Sequence, residues 1–476
     1  MLFFVQKIID IANTLLWSYI LIALLIILGI YFTIKTNFAQ FRFIKEMFRL
    51  LGDSTSSISS NEKDGVSSFQ AFCISTASRV GTGNLAGVAI AISLGGPGAV
   101  FWMWLIALIG AASSFVESTL AQIYKVKDKY GYRGGPAYYM EKGLNKKWMG
   151  VLFSVLITLC FGLVFNSVQA NTITLAFKEA FGIDRLVMGL CLTIITGLVI
   201  FGGVKRIARV AELIVPIMAL AYILVALFVV FKNISSLPEV FSIIISNAFG
   251  LKEAVGGGIG SAIMMGIKRG LFSNEAGMGS APNAAATAEV SHPVKQGLIQ
   301  TLGVFTDTLL ICSATAFIII LSGNYTAEGL TGIQLTQISL SNHVGQWAEM
   351  FIAICILLFA FSSIIGNYYY GETNIEFMNS NKALMFLYRV AVLGMVIFGS
   401  IAKIKIVWSM ADLFMGLMAL TNLIAISMLG KIAFKALNDY SSQRNIGKEP
   451  VFFTSNIQGL KNTDCWNRSQ KMKNIA

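Results

Sequence analysis

Apolar positions in this chain come in long unbroken runs, not in the alternating or single-face patterns of a soluble protein. Residues 11–34, 186–204, 213–231, 350–371 and 413–430 each contain no Asp, Glu, Lys or Arg. Each is near the ~20 residues that carry a helix across a bilayer core. Adding the weaker runs predicts eleven spans, at 14–34, 66–93, 97–124, 148–177, 186–204, 208–231, 250–267, 294–322, 347–370, 384–402 and 408–430. The first has only Lys7 before it, exceeds the apolar region of a signal peptide, and is followed by TIKTNFAQ in place of a small-residue cleavage site. It reads as a permanent helix.

Composition agrees with that reading. Of 476 residues, 55% are hydrophobic and 13% charged, against roughly 25% charged in soluble chains. A soluble enzyme, a disordered protein and a secreted disulfide scaffold are excluded. The six cysteines form no CxxC pair and the two histidines no HExxH; five of the cysteines lie in apolar runs and read as small hydrophobes.

The net charge of +12 gains meaning from its location. The connections on one side of the predicted spans hold 28 Lys and Arg and those on the other side 7. Cytoplasmic loops carry such an excess, so the chain is expected to sit in the inner or plasma membrane with its N-terminus outside and its C-terminus in the cytoplasm. The positive face is then matched to anionic lipid, and no nucleic-acid partner is expected. The polar tail 441–476 reads as a flexible cytoplasmic end.

Two spans are interrupted. The second, VSSFQAFCISTASRVGTGNLAGVAIAIS, carries Arg79, Gly81, Thr82, Gly83 and Asn84 in its middle; the seventh, AVGGGIGSAIMMGIK, has five glycines before Lys268. With the first helix set aside, the remaining ten divide into five and five, and these two head the halves with opposite starting sides. The expected organisation is an extra N-terminal helix (1–35), a first five-helix repeat (66–232), an inverted second repeat (250–430) and a tail (431–476). Glycine-interrupted segments at matching places of inverted repeats mark the midplane site of a secondary transporter. Unwound backbone is costly in hydrocarbon and persists where its amides or carbonyls hold something. Close helix packing by small residues is the alternative for either segment alone. No residue-level similarity between the halves is evident.

Three stretches carry a family resemblance: RVGTGNLAGVA (79–89), GGPGAVFWMWLIALIG (95–110) and KRGLFSNEAGMGSAPNAAATAEVSHPVKQGL (268–298). In these the chain resembles the alanine/glycine:cation symporter family, over nearly its whole length to about residue 430. The resemblance implies an all-α polytopic membrane protein of 11 transmembrane helices, with the inverted 5+5 arrangement of bacterial leucine transporters behind one extra helix. It implies import of alanine or glycine coupled to sodium, in some members to protons. No other cofactor is expected; the partners are the amino acid, sodium and membrane lipid.

An amino-acid substrate presents a carboxylate and an ammonium. Amides of Thr82, Gly83 and Asn84 are candidates for the carboxylate, the glycines permitting close approach. The resemblance implies that the carbonyls of Ala77 and Val80 face sodium, with Ser362 and Ser363 completing that site; paired serines in a membrane helix also bond locally to the preceding turn. Asn166 and Gln169 share a helical face and serve either the substrate or helix–helix contact. Gly260, Ser261, Ile263 and Met264 are expected to supply carbonyls for the ammonium and an apolar cap. A second possibility puts the functional break at Ser273–Gly279, which the charge count places near the cytoplasmic mouth, as an inner gate. Arg79, Glu117 and Asp307 are ionisable residues inside spans, each costly there. Arg79 with a carboxylate partner, and Glu117 accepting from the unwound backbone around residues 79–84, fit gating or static pairing. A channel is disfavoured by the lack of a TVGYG-like filter. An enzyme is disfavoured by the lack of a nucleophile–base or metal constellation.

Overall fold

Ser67 opens the first interrupted span with a reciprocal cap: its hydroxyl accepts from the Gln70 amide and its own amide donates to the Gln70 side chain, both at 3.1 Å. Two orphan donors are satisfied at once, which fixes the helix start. The computed structural model describes residues 2–56, 66–128, 131–202, 204–250 and 258–467. Regular structure among them is helical except for one ribbon, Val126–Asp128 (β1) antiparallel to Gly131–Arg133 (β2), with Lys127 opposite Tyr132.

The principal helices are α1 (Gln6–Lys35), α2 (Ile44–Ser56), α3 (Ser68–Arg79), α4 (Gly83–Gly95), α5 (Ala99–Ile123), α6 (Lys147–Phe181), α7 (Arg185–Ile200) and α8 (Val204–Lys232). After them come α9 (Leu237–Ala248), α10 (Ile259–Asn274), α11 (Ala281–Ala285), α12 (Pro293–Ser322), α13 (Gly332–Val344), α14 (Trp347–Met378), α15 (Lys382–Ile401) and α16 (Ile404–Asn445). Seven of them (α1, α5, α6, α12, α14, α15, α16) are long and apolar enough to cross a membrane, and the pair Ala219–Lys232 and Ile234–Ala248, bent by 77°, makes an eighth if counted as one span. The protein is therefore a helical, multi-pass membrane protein. Every predicted span has a helix over its described residues, but α4 and α7 are short, and the second span comes in two pieces, α3 and α4. The helices α9 and α13 lie where the sequence predicted plain connections.

Packing follows from which faces are apolar all round. Ile194 and Leu198 on α7, Leu220 and Leu224 on α8, and Phe386 and Leu387 on α15 are exposed, as lipid-facing side chains must be, because lipid replaces water as their solvent. Inside, α5 packs on α12, α6 on α14, and α7 on α15. Each of these pairs joins helices five places apart in the predicted count of spans.

The tail departs from expectation. Helix α16 runs on to Asn445, and residues 446–467 fold back onto the body. Phe452 donates its amide to Ser291 O at 2.9 Å, and the buried Trp466 donates its indole N–H to Gln122 O at 2.9 Å. Lys142–Asp464 (2.8 Å) and Lys295–Glu449 add ion pairs. A polar composition hid two buried aromatic anchors.

Candidate functional site

Helix α3 ends because Val80 turns extended, with φ −79° and ψ 96°. The chain resumes at α4 with a π-helical turn over Gly83–Gly87. Such turns recur at functional sites. In the gap, the Gly81 amide donates to Asn84 Oδ1 at 2.8 Å, the Thr82 amide donates to Gln169 Oε1 at 3.0 Å, and the Asn84 amide donates to Gly81 O at 3.3 Å. The Thr82 and Asn84 amides, expected to be free, are thus held by Gln169 and Gly81. Gly81 is required by approach: a Cβ there would lie 2.2 Å from Ser363 Oγ and 3.1 Å from Gln169 Oε1.

Ser362 and Ser363 of α14 face this gap. Each bonds Phe359 O in its own helix, at 2.8 and 3.1 Å, and each has its hydroxyl 3.4 Å from a carbonyl of α3's end, Ala77 O for Ser362 and Val80 O for Ser363. Both readings of the serine pair, local bonding and facing the break, describe the same side chains.

Among the described residues the second break follows α10, beyond the glycine run. Residues 251–257, including Gly256 and Gly257, lie outside the described residues. Gly260, Ser261, Ile263 and Met264 stand in the continuous helix α10, with Gly260 exposed and Ser261 donating to Leu94 O at 2.9 Å. Their carbonyls are committed to helical bonding, which corrects the expected carbonyl site for the ammonium at these positions. The helix gives way at Glu275, with Glu275 (φ 57°), Gly277 (φ 83°) and Gly279 (φ 86°) all left-handed. A glutamate pays a steric penalty for that conformation, and here its carboxylate is bonded by Ser78 (2.7 Å) and Ser280. The stretch 273–280 is buried against the first break, not exposed at a mouth.

Three buried carboxylates surround the breaks. Glu117 of α5 accepts from the Gly277 and Gly279 amides, both at 3.1 Å, and from Asn422 at 2.7 Å. It therefore braces the second break, whereas the expectation had it serving the first. Asp307, in a π-helical turn of α12, accepts from Asn84 at 2.7 Å, Ser273 at 2.8 Å and Thr308 at 3.0 Å, and so touches both interrupted segments. Arg79 is the cation whose charge acts on all three; it makes no ion pair within 4 Å among the described residues and donates to Gln300 O at 3.2 Å. Asn166 points back to Gly162 O of its own helix at 2.8 Å, so only Gln169 of that pair reaches the break.

Sequence reasoning missed Ser78, Asn367 and Asn422 as site builders, and held Glu275 only within the Ser273–Gly279 alternative. Ser78 Oγ also lies 2.9 Å from Asn367 Oδ1, and a Cβ on Gly366 would come within 3.2 Å of Ser78. The available signal was the density of polar residues in SNEAGMGS. It also missed an aromatic wall: Phe272 packs, tilted, against Phe165 at 4.6 Å and against Trp408 at 4.8 Å between ring centroids. As oxygen sets for a cation, the site offers the carbonyl–serine group of α3 and α14 and the Asn84–Ser273–Asp307–Thr308 group. No cluster of three or more His, Cys, Asp or Glu occurs among the described residues.

Two broken helices packed at their breaks inside a multi-pass bundle define a membrane transport protein. The chain belongs to the sodium:alanine symporter family, whose model matches residues 2–454. It is 62% identical over 461 residues to a probable sodium/glutamine symporter, GlnT, of Bacillus subtilis, covering 97% of this chain and 96% of the relative. It is 57% identical to the amino-acid carrier protein AlsT of the same organism, covering 97% and 98%. In fold it is similar to a crystal structure of a mutant manganese transporter from Eremococcus coleocola, with TM-score 0.51, 12% identity and coverage of 80% of this chain and 82% of that one.

Proposed function

We propose that this protein imports a small neutral amino acid, alanine or glycine foremost, together with sodium, by alternating access of one site to the two sides of the membrane. The observation that carries the reading is the meeting of the two helix breaks at Ser78 and Glu275, with Ser362 and Ser363 set on the carbonyls of Ala77 and Val80. Oxygens that ligate one hard cation at about 2.4 Å, at right angles, stand about 3.4 Å apart; the two serine–carbonyl separations are 3.4 Å. Sodium is proposed to enter there. The substrate carboxylate is proposed to take the Thr82–Gly83 backbone, displacing Gln169, which then bonds the substrate. The relative named as a sodium/glutamine symporter extends the substrate class to carboxamide side chains.

The arrangement proposed is eleven spans, with 66–232 and 250–430 as inverted repeats, the N-terminus outside and the C-terminus in the cytoplasm. The packing of α5 on α12, α6 on α14 and α7 on α15 supports it, since equivalent helices of such repeats meet near their shared axis. The test is uptake of labelled alanine into proteoliposomes with an inward sodium gradient, against potassium replacement. Accumulation above the outside concentration that needs sodium is expected; its absence ends the reading. The buried carboxylates Glu275 and Asp307 favour one second reading, proton coupling. Uptake that follows a pH gradient without sodium would select it.

A further inference from the structure

The C-terminal segment 446–467 ties together two groups of helices on one side of the molecule. In the first group α5 packs on α10 and α12, and α3 packs on α12; in the second α6 packs on α14 and α15, and α7 on α15. The breaks lie where the groups meet, with Ser363 of α14 at the Val80 carbonyl and Gln169 of α6 at the Thr82 amide. On the side where α5 ends and α6 and α12 begin, the groups also meet at Asn283. Its Oδ1 accepts from Asn374 at 3.0 Å, and Asn374 Oδ1 accepts from Ser154 at 3.2 Å. The C-terminal segment has a foot on each group. On the first, Phe452 donates its amide to Ser291 O and Trp466 its indole N–H to Gln122 O, both at 2.9 Å, and the Cys465 thiol donates to Lys125 O at 3.3 Å. On the second, Asn462 donates to Lys142 O at 3.0 Å and Asp464 pairs with Lys142 Nζ at 2.8 Å. Lys142 ends the short helix Pro136–Lys142, which packs on α6 and lays Tyr138 against Phe377 of α14, 5.0 Å between ring centroids. Thr454 donates its amide to Trp466 O at 3.0 Å, and the buried Phe452 and Trp466 rings meet edge-on at 5.3 Å, so the segment is closed on itself.

We propose that residues 446–467 are a strap that holds the two groups together on the inner side, so that one foot must lift each time the site opens inward. The proposal rests on the alternating access and the cytoplasmic C-terminus read above. Transporters built from inverted repeats expose their site by moving one group of helices against the other. A contact that crosses the boundary on one side is made in one state and broken in the other, and so biases the equilibrium between them. The two feet are unequal. The foot on α5 and Ser291 carries the buried aromatic rings and hydrogen bonds to backbone carbonyls. The foot on Lys142 is one ion pair and one side-chain hydrogen bond, with the Lys142 and Asp464 side chains 20% and 50% exposed. Exposed pairs contribute little and are weakened by salt. The Lys142 foot is therefore the one that lifts, while the aromatic foot keeps the strap on its own group.

The test reads how often the boundary opens. Ser154→Cys puts a thiol of nearly the same size where Asn283 and Asn374 meet, at a buried position. Its labelling by a water-soluble maleimide in the purified protein is followed by peptide mass spectrometry. The buried native Cys355 of α14 is the internal reference for general loosening. In that background Asp464→Lys sets two cations against each other and should speed labelling at position 154 about tenfold, with Cys355 unchanged. Adding Lys142→Asp restores opposite charges and should return the rate to that of Ser154→Cys alone. A chain ending at Asn445 should label at least as fast as Asp464→Lys; if it does not fold, the charge swap at these surface positions decides by itself. An unchanged rate at position 154 in Asp464→Lys overturns the proposal. So does a rise shared equally by Cys355, or one that the swap leaves in place. Absence of sodium-dependent alanine uptake by the wild type would instead overturn the transport reading, and protease cutting the tail from outside intact cells would overturn the orientation. The labelling rates depend on neither result.

Discussion

Ser78 donates its hydroxyl to the Glu275 carboxylate at 2.7 Å across 197 positions of sequence. One hydrogen bond thus ties the end of α3 to the end of α10, and neither break can move without carrying or releasing the other. Ser78→Ala leaves a buried carboxylate oxygen short of a donor, which costs about 1–3 kcal/mol. The expected result is a lower melting temperature in detergent together with reduced uptake. A melting curve unchanged from wild type would mean that the bond joins nothing of consequence.

Sodium and alanine should promote each other's binding by the same factor, since both are proposed to hold the segment 77–84. Alanine affinity measured at rising sodium should increase, and sodium affinity at rising alanine should increase equally. Ser363→Ala removes one oxygen from the proposed ion site and should raise the sodium needed for half-maximal uptake about tenfold, the scale of a lost bond to a charged group. Alanine affinity indifferent to sodium, in wild type and variant alike, would place the ion elsewhere.

Gly83→Val should abolish alanine binding while the protein still reaches the membrane. Even a Cβ there comes within 3.1 Å of both Phe272 and the Ser273 backbone, and a branched side chain cannot be housed without moving the break. Gly394 in α15 has nothing within 4 Å of a Cβ, and Gly394→Val should transport nearly as wild type. Equal alanine binding by both variants would make residues 81–84 a packing kink.

Acid should loosen the docking of α16 onto α2. Burial alone would raise the Glu46 carboxyl, but hydrogen bonds from Arg49 and Tyr440 and the charges of Arg49 and Arg444 hold it down, from 4.5 to about 2. The native form then binds fewer protons than the unfolded chain, so its stabilisation is complete above pH 4.5 and fades as pH falls toward 2. The melting-temperature difference between wild type and Glu46→Gln should be constant from pH 7 to about 5 and shrink below that. A difference that persists undiminished at the acid end would show that the ionised carboxylate is not what docks the helix.

What the sequence determined by itself is the part that depends on local composition. Runs without charge must cross lipid or be buried, so the multi-pass helical class was readable, and so was the interruption at Gly81–Asn84, where Val80 does leave the helix. The motif SNEAGMGS announced a special backbone, but its place did not follow from charge. Lys268 and Arg269 read as loop residues because isolated cations are costly among helices; the fold meets that cost with Asp412, 143 residues away from Arg269. Only tertiary structure could decide that Glu117 braces Gly277 and Gly279, that Gln169 occupies the Thr82 amide, and that Trp466 pins the tail. Each of those contacts joins residues far apart in the chain. A buried polar group is stable only once its partner arrives, and the sequence does not say which of many candidates that partner is.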